Sequence, residues 1–146
     1  MIDSRTAPYA ALLLRIVIGS LFLAHAGLKI FVFTTAGFVK YLAGLAMPEW
    51  MAYAIIALEV VGGLAMVLGV YARWIALVLA IELIGTIVTV HAAKGFVFTS
   101  PGGGWEFPAL WAAAAIVLAL IGDGPYALLR SWPIPFGAIN GVPARA

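Results

Sequence analysis

Leu12 to Phe33 reads LLLRIVIGSLFLAHAGLKIFVF, an apolar run that nevertheless contains Arg15, His25 and Lys29. A bilayer crossing needs about 20 such residues, so the stretch is long enough to span. At about 100° per residue, with Arg15 as zero, Phe22 falls near −20°, Lys29 near −40° and His25 near −80°. The three polar side chains share one narrow stripe, with Gly19 and Ala26 beside it. A charged group facing hydrocarbon costs several kcal/mol, so the stripe must face protein. The other apolar segments have to pack around it.

The rest of the chain supplies them. Of 146 residues, 65% are hydrophobic and 10% charged, and the mean hydropathy is +1.13. A soluble domain is nearer half apolar and a quarter charged. The chain therefore reads as an all-α integral membrane protein of one domain, in contact with the lipid bilayer. Net charge is only +2, and no basic run marks a nucleic-acid surface. There is no cysteine, which removes disulfides, a thiolate nucleophile, iron–sulfur ligation and c-type haem attachment. Any redox role then uses a bound cofactor, a quinone or a partner subunit.

Four transmembrane helices are expected, in a bundle with both termini on the same side. Residues 1–8 are polar, Pro8 is a helix start, and the first helix is predicted over about residues 9–33. A cleaved leader is the competing reading, because Ala24-His25-Ala26 mimics a small-residue cleavage site. Arg15 inside the apolar region, and apolar character continuing to Phe33, argue against it. Residues 34–49 form a connection, with Phe38 to Leu45 a short interfacial helix. The second helix is predicted over about 50–70, with Trp50, Tyr53 and Tyr71 placed as an aromatic belt. A turn at Tyr71-Ala72-Arg73 makes the third helix, about 74–93, its antiparallel neighbour. Pro101-Gly102-Gly103-Gly104 cannot hold a regular helix and can bring backbone N–H groups close to a ligand. The fourth helix is predicted over about 106–121, with Pro108 in its first turn and Gly122-Asp123-Gly124-Pro125 ending it. The proline-containing tail reads as irregular and superficial. Arg5, Arg73, Arg130 and Arg145 fall on the side of the termini, which the positive-inside rule assigns to the cytoplasm. Both long connections then face the other side.

Three ionisable groups lie deep in the predicted spans: Arg15, Glu59 and Glu82. The simplest arrangement is a structural ion pair of Arg15 with Glu59 or Glu82. One pair leaves a carboxylate over, and an intramembrane ionisable group is a functional candidate by default. Gly62 and Gly63 read as helix-packing residues. Gly85, Thr86 and Thr89 lie within about 60° of Glu82, whereas His91 falls near 180° away on a regular helix and faces different neighbours.

His25, Lys29, His91, Lys94 and Glu106 gather toward the end away from the termini. Snorkelling of a polar tip accounts for Lys94. His25, one turn inside Lys29 on the stripe, asks for more. Two histidines on separate helices can in principle ligate a haem, and a metal would need a carboxylate such as Glu106 as third ligand. No intrinsic haem, flavin or metal is expected. A small ligand with an apolar body and carbonyl oxygens suits the set better. His25 and Lys29 bind its oxygens, with Glu59 close by. Glu106 or His91 passes protons, and Phe22, Phe96, Trp105 and Phe107 pack on its ring. Quinones fit that description.

These residues resemble the DoxX family of small bacterial membrane proteins. Leu14-Arg15, Gly19, Phe22, His25 and Lys29 are similar to its first-helix pattern, and Glu59, Gly62-Gly63, Leu68-Gly69 and Arg73 to its second-helix signature. His91 with Gly95-Phe96 resembles the end of its third helix. Gly102-Gly103-Gly104-Trp105-Glu106-Phe107 and Gly122-Asp123-Gly124-Pro125-Tyr126 resemble the opening and end of its fourth. The likeness covers about residues 10–130 and departs at Ala26, where the family often has glycine; Gly27 follows. It implies a four-helix protein of the bacterial inner membrane. Some relatives are subunits of thiosulfate:quinone oxidoreductases or accompany terminal oxidases, and others assist oxidative-stress enzymes or the detoxification of catechols and quinones. Family likeness speaks to fold more than to activity. The expected function is a quinone- or quinol-interacting membrane subunit of an oxidoreductase system. A non-catalytic scaffold or assembly factor for a redox partner protein is the alternative. A small-solute transporter, which would need a homo-oligomer to enclose a pore, is the weaker one.

Overall fold

A backbone in lipid must satisfy its own hydrogen bonds, which favours helices. The computed structural model, which describes residues 3–134, is helical with no β-strand among them. Its helices are α1 (Ala7–Gly27), α2 (Thr35–Gly44), α3 (Trp50–Leu68), α4 (Ala72–Thr86) and α5 (Glu106–Ile121). α1 continues through a π-helical turn, Leu28–Val32, and α4 through another, Ile87–His91, then a 3-10 turn, Ala92–Lys94. With these extensions three helices are long and apolar enough to cross a membrane; α5, of 16 residues, is shorter.

Local chemistry sets the ends. Pro8 occupies the first turn of α1, where its missing N–H breaks no bond. Thr34 caps α2, its Oγ1 accepting from the Gly37 N–H at 3.1 Å. Gly69, at φ +72°, stops α3. Its N–H and that of Val70 turn back to the carbonyls of Met66 and Ala65, a Schellman motif that glycine adopts without strain.

Packing turns the polar stripe of α1 inward. Arg15 and Phe22 are buried, and His25 and Lys29 half-buried. α1 and α3 touch backbone to backbone: a side chain at Gly19 would meet the Gly63 carbonyl at 2.8 Å, and one at Gly63 the Gly19 carbonyl at 2.9 Å. α4 and α5 meet through Ala76, Leu79, Ala80, Ala112, Ala115 and Leu118. Small residues allow such approach where lipid supplies no hydrophobic drive. Phe31, Val61, Ile81 and Leu110 point outward, 64–82% exposed, as lipid contact requires.

One end of the bundle is tied shut. Leu128 and Leu129 donate their N–H groups to the carbonyls of Leu68 and Gly69, and Tyr71 donates to Leu129. Arg15 Nη1 donates to the Asp123 carbonyl at 2.8 Å, and Nη2 to those of Pro125 and Tyr126 at 3.3 and 3.4 Å. The expected ion pair of Arg15 with Glu59 or Glu82 does not form. The chain after Gly122 folds back past α1, and its carbonyls occupy the guanidinium's fork of donors in place of a carboxylate. As far as Ile134 the tail is irregular and largely exposed, as expected, but it is tied to the bundle at Asp123. Asp123 accepts from the N–H of Arg73 at 2.9 Å, and from the N–H and hydroxyl of Ser131 at 2.6 and 2.8 Å. The later tail, including Pro135, Pro143 and Arg145, lies outside the described residues.

Burial alone would raise the Asp123 pKa. The donors of Ser131 and Arg73, with the charge of Arg73, outweigh it and hold the carboxyl below its ordinary range. A group depressed in this way stabilises the fold above its unfolded value, about 3.9, and that contribution is lost as pH falls through the folded value. Asp123→Asn is expected to lower the melting temperature in detergent by several degrees at neutral pH. The gap from wild type should close below about pH 4; thermal melts across that range check both. Arg15→Met, which strands buried carbonyls, is expected to cost roughly 3 kcal/mol at every pH in the same measurement.

Candidate functional site

The opposite end stays open. A cavity of about 950 Å³ lies among the five helices, within the range of small-molecule sites, roughly 300–1,000 Å³. Its walls are apolar: Phe33, Phe38 and Tyr41 on one side, Met47, Met51 and Ile55 on another, Phe107 and Trp111 from α5.

Its polar groups come from α1, α3 and α4. Lys29 Nζ and Glu59 Oε1 are 2.6 Å apart. Glu59 is only 3% exposed, and a carboxylate so buried needs a cation beside it. The ammonium also lies 5.4 Å from the centre of the Phe38 ring, a cation–π distance. Glu59 Oε2 and Glu82 Oε2 are buried with no hydrogen-bond partner among the described residues, and both glutamates line the cavity. Unmet buried acceptors mark a place where a ligand or water supplies donors.

His91 lines the same cavity, its Nδ1 2.8 Å from the Gly103 carbonyl. A carbonyl can only accept, so Nδ1 carries the proton, and in the neutral ring Nε2 is the acceptor. On a regular helix His91 would turn away from Glu82. The π turn Ile87–His91 adds a residue to that turn and changes its phase, so both groups line one cavity. Gly85, Thr86 and Thr89 line it with Glu82, in keeping with their spacing. α1 has the same device: the Phe33 N–H reaches back to the Leu28 carbonyl at 2.9 Å, and Lys29 lies in that π turn. Such turns are rare and recur at functional sites.

His25 lines the cavity with its ring centre 5.0 Å from that of Trp111. Trp111, not singled out from the sequence, centres an aromatic cluster with Phe22 at 4.4 Å and Phe107 at 5.9 Å. Its signal was position: a tryptophan one turn beyond Phe107, inside an apolar helix rather than at a belt-forming end. α2 was also more than an interfacial helix. Phe38 and Leu42, one turn apart, pack with Ala52 of α3 and make a wall of the cavity.

Four expected contacts lie elsewhere. Phe22 is fully buried against Trp111, outside the lining. Trp105 and Phe96 stand edge-on to each other at 4.7 Å, and neither lines the cavity. Glu106 sits at a separate shallow depression with Phe98, Phe107 and Leu110, because it lies about 140° around α5 from Trp111. The glycine connection also departs from expectation. The N–H groups of Gly103, Gly104, Trp105 and Glu106 are used on the carbonyls of Ser100, Val97, Gly95 and Phe96, so they are not offered to a ligand. Gly102 and Gly103, at φ +82° and +80°, instead turn carbonyls to Lys94 and His91.

The family model DoxX matches residues 10–92, the span that carries Arg15, His25, Lys29, Glu59, Glu82 and His91. "Putative oxidoreductase CatD" of Bacillus subtilis (strain 168) is 35% identical over 112 residues, covering 77% of this chain and 78% of that protein. No solved structure matches. Matched over more than half its length by the family model, and over most of its length by that relative, the chain belongs to the DoxX family.

Proposed function

We propose that the chain is a membrane subunit that binds a quinone or quinol within an oxidoreductase system. The observation that carries this reading is the cavity, with aromatic and thioether walls around Lys29, Glu59, Glu82, His25 and His91. A quinone ring is flat, apolar on its faces and polar only at its oxygens. Trp111, Phe107 and Phe38 offer ring faces, and Met47 and Met51 adapt to its edges. Lys29 and His25 offer donors to its oxygens, and His91 and the carboxylates exchange protons with them. The oxidoreductase name of the Bacillus relative points the same way. The chain has no cysteine, so thiol redox chemistry is not its own.

In this reading α5, with Trp105 before it and Gly122 after it, makes a fourth crossing. Its 16 residues reach about 24 Å against a core of roughly 30 Å, and the flanking residues make up the rest. Both termini then lie with Arg5, Arg73 and Arg130 on the cytoplasmic side of a bacterial inner membrane. The cavity opens toward the outer leaflet.

Purified in detergent, the protein is expected to show saturable quenching of tryptophan fluorescence by duroquinone, most of it lost in Trp111→Phe. Lys29→Gln is expected to raise Kd roughly tenfold, the worth of one charged hydrogen bond. Failure of both duroquinone and durohydroquinone to bind would end the reading. Topology has its own test, made clean by the absence of native cysteine. Phe98→Cys is expected to react with an impermeant maleimide in intact spheroplasts, and Arg5→Cys only after lysis.

A further inference from the structure

The hydrogen-bonding capacity left over in the cavity is lopsided. Glu59, 3% exposed, has Oε1 held by Lys29 and Oε2 without a partner among the described residues. Glu82 Oε2 is buried and unpartnered on the same cavity. His91 commits its Nδ1–H to the Gly103 carbonyl, which leaves Nε2 to accept. Among the donors, Lys94 is already engaged by the Gly102 carbonyl, Lys29 has one of its N–H groups on Glu59, and Trp111 Nε1 is buried on the cavity without a partner among the described residues. Two unmet buried carboxylate oxygens therefore face one unmet buried N–H, and a hydroxyl, which donates through its hydrogen and accepts at its oxygen, can serve both kinds. A buried acceptor left unmet is costly, and a ligand removes that cost only by bringing donors. A benzoquinone has two carbonyl oxygens and none. Its hydroquinone has the same ring and two O–H groups.

We infer that the cavity is built for the reduced, dihydroxy-aromatic form of its ligand, with Glu82 Oε2 and Glu59 Oε2 accepting from the hydroxyls. The inference rests on the quinone or quinol reading above and adds which redox form the site holds. Preferential binding of the reduced form draws the bound couple toward reduction. A tenfold preference raises the midpoint of the bound two-electron couple by about 30 mV.

The test titrates duroquinone and durohydroquinone separately, under argon at neutral pH, into the full-length protein in detergent, with Kd from calorimetry. Wild type is expected to bind the hydroquinone at least about tenfold more tightly, the worth of one hydrogen bond to a charged acceptor. Glu82→Gln keeps the shape and places an amide donor beside the ligand. It is expected to cut the preference to about threefold or less, with tighter quinone binding. Equal affinity, or a tighter quinone, in the wild type overturns the inference and leaves the proposed function standing. Binding of neither form removes the proposed function itself. An undiminished preference in folded Glu82→Gln, verified by its melting temperature, overturns the role given to Glu82. The wild-type ratio decides the matter even where the variant does not fold.

Discussion

A carboxylate 3% exposed in the middle of an apolar helix is tolerable only beside a cation, and for Glu59 that cation is Lys29, 2.6 Å away. The pair fixes how α1 is rotated against α3, while the backbone contact of Gly19 with Gly63 fixes how closely they approach. Stability is not the reason to keep it. Apolar residues of similar volume can replace a buried ion pair at little or no cost. Arg15 shows, moreover, that α1 can be anchored without any carboxylate, by the carbonyls of Asp123, Pro125 and Tyr126. The two cations of α1 thus do different work. Arg15 closes one end of the bundle, and Lys29 keeps charge available at the wall of a cavity.

Charge at that wall is useful only if the elements that bring it stay open. Here the π turns matter. α1 widens at Leu28–Val32 and α4 at Ile87–His91, and each wide turn carries a cavity residue, Lys29 or His91. At Ile87–His91 a regular helix would turn His91 away from Glu82. The wide turn spends backbone regularity on side-chain position, a trade found mainly where function needs it.

What the sequence disclosed was whatever depends on spacing and residue type. The helices, the inward stripe of Arg15, Phe22, His25 and Lys29, the bounds of α5 and the close packing of Gly63 follow from local rules, and the structure has all of them. The partner of Arg15 was not legible, because backbone carbonyls have no residue identity and these lie 108 to 111 positions away. Nor were the π turns, since no residue type announces an i→i+5 bond. Missing them put His91 on the wrong side of α4. The same gap hid the wall formed by α2: its apolar Phe38 and Leu42 could equally have met lipid, and only the fold of residues 45–49 brings them to Ala52. Glu106 was drawn toward the site by its neighbours in sequence, Trp105 and Phe107, although adjacent helical residues diverge by about 100°.

The glycine connection completes the physical account of the open end. Irregular backbone is expensive at membrane depth unless its polar groups are used. Here the N–H groups of Gly103 to Glu106 are closed on carbonyls within the connection, and the carbonyls of Gly102 and Gly103 are closed by Lys94 and His91. A side chain at Gly104 would run into the carbonyls of Phe96 and Val97, so the fold of this loop requires glycine there. A connection so satisfied can sit at the level of the interface beside the short α5, against the cavity, with little desolvation cost. His91 is then tied at Nδ1 to the connection while its ring lines the cavity, so the loop and the cavity wall are held together by one side chain.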